Sequence, residues 1–143
     1  MKTTKKEFID DYGSKVIQKY NAKKQLIEEI HHYRGDGPIN YIIQYNPFTG
    51  HKLKQTKYHQ NFLVDQIIKY DKVTGKEIKE KRYCQFDDKI INYIAKFDKM
   101  IGEFIKRFIY SSDGQTIEQI IEYDKKTNQQ TIKTNQTKGV ESL

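Results

Sequence analysis

Tryptophan is absent from this 143-residue chain, cysteine occurs once and proline twice. The single cysteine, Cys84, excludes an intrachain disulfide framework of the kind that staples small secreted domains. Export stays open, since a repeat sheet needs no staples. Long apolar runs are also missing, and no segment approaches the roughly 20 residues that a membrane-spanning helix requires. The opening Met1-Lys-Thr-Thr-Lys-Lys has the basic character of a signal n-region, but Glu7, Asp10 and Asp11 stand where the apolar stretch would follow. No signal peptide is therefore expected. Apolar residues are scarce overall: 36% hydrophobic against 31% charged, with mean hydropathy −0.90, is too polar for a thick two-layer core. The 13% aromatic content nonetheless argues against disorder. A thin apolar face rich in Tyr and Ile satisfies both facts, because Tyr buries a ring while its hydroxyl stays wet.

What is abundant is positive charge. The formal net charge is +7 and the pI about 9.3, a balance that favours acidic partners. Low-GC codon usage produces the same enrichment in Lys, Ile, Asn and Tyr without any selection for such partners. The length suits one domain.

The chain repeats. Tyr20, Tyr45, Tyr70, Phe97 and Tyr123 lie 25, 25, 27 and 26 residues apart. Ile stands three positions before each anchor (Ile17, Ile42, Ile67, Ile94, Ile120), and Asn or Asp one position after it (Asn21, Asn46, Asp71, Asp98, Asp124). Gly closes three of the units, at Gly50, Gly75 and Gly102. A second aromatic (Tyr33, Tyr58, Tyr83, Tyr110) falls 13 residues after an anchor. Runs such as Ile67-Ile68-Lys69-Tyr70 are β-branched, aromatic and too short for helices. Asx followed by Gly suits a hairpin loop, since the side chain bonds the backbone ahead and Gly takes the positive φ. Asp36-Gly37 and Asp113-Gly114 mark the alternate turns.

The expected fold is all-β: an antiparallel β-meander of about 26-residue hairpin repeats, with nine or ten strands in an elongated, twisted or curled sheet. Ile and aromatic ladders are expected on its buried side, and closure into a barrel is the alternative. The expected organisation is an N-terminal segment (1–13), a repeat domain (14–134) and a frayed polar tail (135–143). Residues 14–32 lack a turn Gly and also fit an amphipathic helix; the 13-residue spacing of Tyr20 and Tyr33 favours strands.

The alternation of Tyr-(Asp/Asn)-x-x-(Thr)-Gly with Tyr-x-x-Asp-Gly-x-Thr-Ile resembles a repeat family of unknown function found chiefly in phytoplasma proteins. It is more distantly similar to Rhs-type YD repeats and MORN-like hairpin repeats. The match runs from about Val16 to Thr131 and is best in Gln66–Gly75 and Tyr110–Lys125; it departs from pattern at Asn21–Gln25, Asn61–Val64 and Met100–Ile101. The resemblance implies a bacterial, host-directed protein and brings no catalytic motif. The expected location is the bacterial cytoplasm, or outside the cell after loss of a leader this sequence does not contain.

The repeat frame absorbs most tempting motifs. Arg34-Gly35-Asp36 occupies a turn position. His31 and His32 are adjacent and point to opposite faces of a strand. His51, His59 and Cys84 stand at no metal-ligand or nucleophile spacing. The Asp column, Asp10-Asp11 and Asp87-Asp88 read as turn chemistry, since Asn replaces Asp in two of the five units. The Asn135-Gln136-Thr137 sequon is a pattern match alone. No enzyme, metal or cofactor is expected.

The basic residues of the second strands are the informative remainder. Lys57, Lys81, Arg82, Lys106 and Arg107, interleaved with Tyr58, Tyr83 and Tyr110, form the candidate binding face. The leading expectation is a non-catalytic protein-binding scaffold, either a secreted effector or a surface-associated factor. A homodimer through the apolar face is also expected. The alternative is polyanion (nucleic acid) binding; a solvated face of paired charges explains the same residues without any ligand.

Overall fold

A computed structural model describes residues 2–35 and 37–134. Asp36, the 135–143 tail and its sequon lie outside the described residues. Eleven strands follow one another: β1 (Thr4–Ile9), β2 (Ser14–Tyr20), β3 (Leu26–Arg34), β4 (Ile39–Tyr45), β5 (Lys52–Tyr58), β6 (Val64–Tyr70), β7 (Glu77–Cys84), β8 (Asp87–Phe97), β9 (Phe104–Tyr110), β10 (Ile117–Asp124) and β11 (Gln129–Thr134). They form one open antiparallel sheet whose order is the chain order. The meander expectation holds, with more strands than expected. The additional strand at the start is β1, which the N-terminal segment lends to β2. No helix occurs among the described residues, so residues 14–32 form β2, a turn and most of β3. Lys24, at φ 63°, takes the left-handed position that Gly fills elsewhere.

One turn design recurs after β4, β6 and β8. The Asx N–H after the anchor donates to the carbonyl across the loop: Asn46 to His51, Asp71 to Lys76 and Asp98 to Glu103, each at 2.8 Å. Gly50, Gly75 and Gly102 donate back to the Asx carbonyl at 2.7–2.8 Å. The Asx side chain accepts from the backbone two residues on, Phe48 N to Asn46 Oδ1 at 2.9 Å and Val73 N to Asp71 Oδ2 at 3.0 Å. Beside four of the five anchors the register also shifts, at Lys19/Tyr20, Gln44/Tyr45, Lys69/Tyr70 and Lys96/Phe97. These periodic bulges add twist unit by unit.

Directly paired residues share a face, so the register divides the sheet in two. One face carries the row Ile17–Ile30–Ile42–Thr56–Ile67–Lys81–Ile94–Phe108–Ile120. The anchors project from the other face, where Tyr20 donates to Gln18 Oε1 and Tyr70 to Gln55 Oε1. The expectation of Ile and aromatic ladders on one buried side is thus corrected for the anchors, whereas the mid-unit Tyr58, Tyr83 and Tyr110 do share the isoleucine face. Three residues is an odd separation, and strand side chains alternate.

Among the described residues neither face is covered by a second layer. On the isoleucine face Ile94, Phe108, Ile117 and Ile120 form a buried cluster with Ile91 and Tyr110 against it. Lys96 and Lys106 roof it, their Nζ atoms 5.7 and 5.0 Å from the Phe108 ring centre. Their stems supply the cover that a second sheet would give. On the anchor face Val16, Ile43 and Ala95 are buried beside Gln55 and Gln66. The Gln66 amide and the Tyr93 hydroxyl both donate to Glu80 Oε1 there, and Arg107 stacks 4.9 Å from the Tyr93 ring.

Candidate binding surfaces

The isoleucine face carries a second row beside the apolar one. Lys54, Lys69, Lys79, Lys96 and Lys106 are directly paired in sequence across β5 to β9. With strands about 4.8 Å apart, the row is about 19 Å long. Opposed like charges destabilise a sheet, and four such pairs lie side by side. The consequence appears at Lys79, whose ammonium is pushed below the usual lysine range by burial and by Lys81, Lys69 and Lys96. Glu122 bounds the row at one end, 3.4 Å from Lys106, and Gln44 at the other.

Alternation splits the sequence-predicted face. Lys81, Lys106, Tyr58, Tyr83 and Tyr110 stand on the isoleucine face. Lys57, Arg82 and Arg107 face the other way, with Gln66, Tyr93 and Ala95. A basic pair such as Lys81-Arg82 cannot serve one side of a flat strand. The tyrosines pair with Val64, Ile91 and Ile117, two residues beyond the apolar row. The order across this face is therefore lysine row, apolar row, tyrosine row, at steps of about 7 Å. Burial pushes the Tyr83 and Tyr110 phenols up, with Asp88 adding to the effect at Tyr83. Lys69 and Lys96, from first strands, complete the lysine row; reading basic residues only in second strands missed them.

A different surface runs along the edge formed by the turns after the even strands. Phe48, Val73 and Met100 hold the same position, three residues after their anchors, and are 81%, 73% and 65% exposed. Ile101 joins them at 53%. Lys23 and Lys126 occupy this position in the first and last copies. Neighbouring turns are tied together: Thr74 Oγ1 donates to the Lys99 carbonyl at 2.5 Å, and Lys125 Nζ to Asp98 Oδ2 at 2.6 Å. Two strands separate successive tips, so the apolar residues are spaced about 10 Å apart along one crest.

The remaining reactive side chains are dispersed. His31 Nε2 lies 2.6 Å from Glu29 Oε1 and its ring stacks on Tyr41. His32 Nδ1 lies 2.9 Å from the Gly37 carbonyl, and His59 Nε2 3.4 Å from Asp65. Among the described residues no three metal-ligating side chains converge. The turn carboxylates act locally. Backbone N–H groups of Thr74 and Val73 hold Asp71 below the usual carboxylate range, and the Lys125 ammonium does so first for Asp98. Cys84 is a half-buried free thiol at the end of β7, paired with Asp87.

Comparison with known families finds the repeat itself. A family described as "Protein of unknown function (DUF2963)" matches four times, over residues 8–57, 33–82, 58–104 and 84–135. Successive matches start 25, 25 and 26 residues apart, one repeat at a time. No curated protein matches the chain. Among solved structures the chain is similar to a mutant of S. aureus TarM in complex with fondaparinux, alpha-GlcNAc-glycerol and UDP. The identity there is 9% and the TM-score 0.41, over 88% of this chain and 20% of that one. A second TarM structure gives 8% identity and TM-score 0.41, over 89% and 20%. The chain thus spans about a fifth of the length of those structures. Four overlapping matches running from residue 8 to residue 135 establish that the chain belongs to the DUF2963 family of repeat proteins of unknown function.

Proposed function

We propose that the chain is a non-catalytic protein-binding scaffold that presents its turn crest to a partner protein. The observation that carries the reading is the alignment of Phe48, Val73, Met100 and Ile101 on exposed turn tips. Turn tips are ordinarily polar, and apolar side chains repeated along one exposed edge offer a partner protein a row of anchors. Phe and Met are also enriched where interfaces are driest. The turn backbones beneath are fixed by Asx and Gly hydrogen bonds, so little ordering is lost on contact. The use of carboxylates in turns supports a binding rather than a catalytic role. The likeness to phytoplasma repeats supports a bacterial factor that is secreted or held at the surface.

The test is a combined Phe48→Ser, Val73→Ser and Met100→Ser variant. These side chains touch solvent, so the circular dichroism spectrum and the melting temperature should be kept. Partner protein captured saturably by the native chain should bind the variant at least about tenfold more weakly, as expected for the loss of central apolar anchors. Equal capture by both proteins rejects the crest as the site.

A further inference from the structure

We infer that the isoleucine face is a second binding site, which takes single-stranded nucleic acid through its phosphodiester backbone. The inference stands independently of the turn crest and rests on three parallel rows. Lys54, Lys69, Lys79, Lys96 and Lys106 form an unbroken cationic line. About 7 Å along the strands lies the apolar row, half-exposed at Ile42, Thr56 and Ile67. Tyr58 and Tyr83 stand one further step on.

Four adjacent like-charge pairs in a marginally covered sheet are a local violation of stable design. Such violations concentrate where function is served. Elsewhere on this same face the chain sets carboxylates against lysines, Glu7 against Lys15 and Glu28 against Lys19, whereas across β5 to β9 the register sets lysine opposite lysine. A covering role for the lysine stems explains Lys96 and Lys106 above Phe108. It does not explain Lys69, which is exposed.

The occupant must carry a line of negative charge along one edge and flat, apolar-faced groups along the other. A single strand of nucleic acid has that form. Phosphates lie against the ammonium row, where long lysine stems adapt to their spacing, and unpaired bases lie over the apolar and tyrosine rows. A duplex hides its bases, and an acidic polypeptide has no planar edge, so both fit less well.

The test is binding of fluorescent oligo-dT by anisotropy across a salt series. The native chain should bind with affinity that falls steeply with salt. Combined Lys69→Gln, Lys79→Gln and Lys96→Gln substitution should weaken binding about tenfold or more at low salt. It should also reduce the slope of log K against log salt by about 2, the value for three lost single-strand phosphate contacts. A control with Lys2→Gln, Lys57→Gln and Lys126→Gln removes the same charge away from the row and should bind like the native chain. Circular dichroism confirms the fold of each variant, and a combined Lys→Arg substitution of the three row lysines keeps the charge and should keep binding. The inference is overturned by absence of binding at low salt, or by equal weakening in row and control variants. It is overturned as well if inorganic polyphosphate, poly-glutamate or duplex DNA competes per charge as strongly as oligo-dT, because the apolar and tyrosine rows would then read nothing.

Discussion

Gly50 and Gly75 hold the same turn position with nearly the same backbone, at φ 78° and 75°, yet their surroundings differ. A side chain added at Gly50 meets nothing within 4 Å, whereas one at Gly75 would stand 2.6 Å from Nδ1 of His51 in the preceding turn. Gly50→Ala should therefore cost only left-handed strain, about 1–2 kcal/mol. Gly75→Ala should cost that and the displacement of the His51 ring as well. Denaturant midpoints of the two variants check this: a Gly75→Ala midpoint no lower than that of Gly50→Ala refutes the packing of one turn on the next. At this scale the sequence was readable, because Asx and Gly act on the backbone beside them. The apolar tips were readable too, but Phe48, Val73 and Met100 looked like free variation within a loop. Their alignment emerges only once the hairpins are stacked.

At the scale of strands, the position that matters most is Phe108 at the centre of β9. It is fully buried between Ile94 and Ile120, beneath two lysine stems. Phe108→Ala should cost about 3–5 kcal/mol, the usual price of emptying a core aromatic site. Equilibrium urea unfolding measures it, and a loss under about 1 kcal/mol would mean that the lysine roof closes over the gap. Strand number was readable to within one or two, since β-branched runs and turn signals alternate. The sidedness of the Ile and anchor columns was present as the parity of a three-residue step. The cross-strand rows were not present in any local pattern. Each bulge beside an anchor resets which residue meets which, so the union of Lys69 and Lys96 with second-strand lysines depends on pairing geometry. For the same reason, Lys81 and Arg82 looked like one basic patch and stand on opposite faces.

For the molecule as a whole, tyrosine sets the alkaline limit. Burial pushes the phenols of Tyr33, Tyr41, Tyr70, Tyr83, Tyr93 and Tyr110 above their ordinary 10.0, and that of Tyr45 to about 12. A phenol with a raised folded value keeps its proton when the unfolded chain has lost it. The stability it contributes is intact below pH 10.0 and is lost as pH rises through its raised folded value. These residues are spread from β3 to β9, so the loss reaches most of the sheet at once. Phenolate absorbance and strand circular dichroism should change together above pH 10. Complete phenolate formation with the strand signal intact would show the hydroxyls to be freely solvated.

Because strand order and chain order coincide, size in this architecture has a single dimension. Each further hairpin lengthens the sheet by about 10 Å and leaves all but one existing strand boundary as it was. Lysine row and apolar crest would grow in step, like two scales engraved on one rule. Gain or loss of a repeat then changes the span that can be gauged, with no change in the chemistry of any graduation.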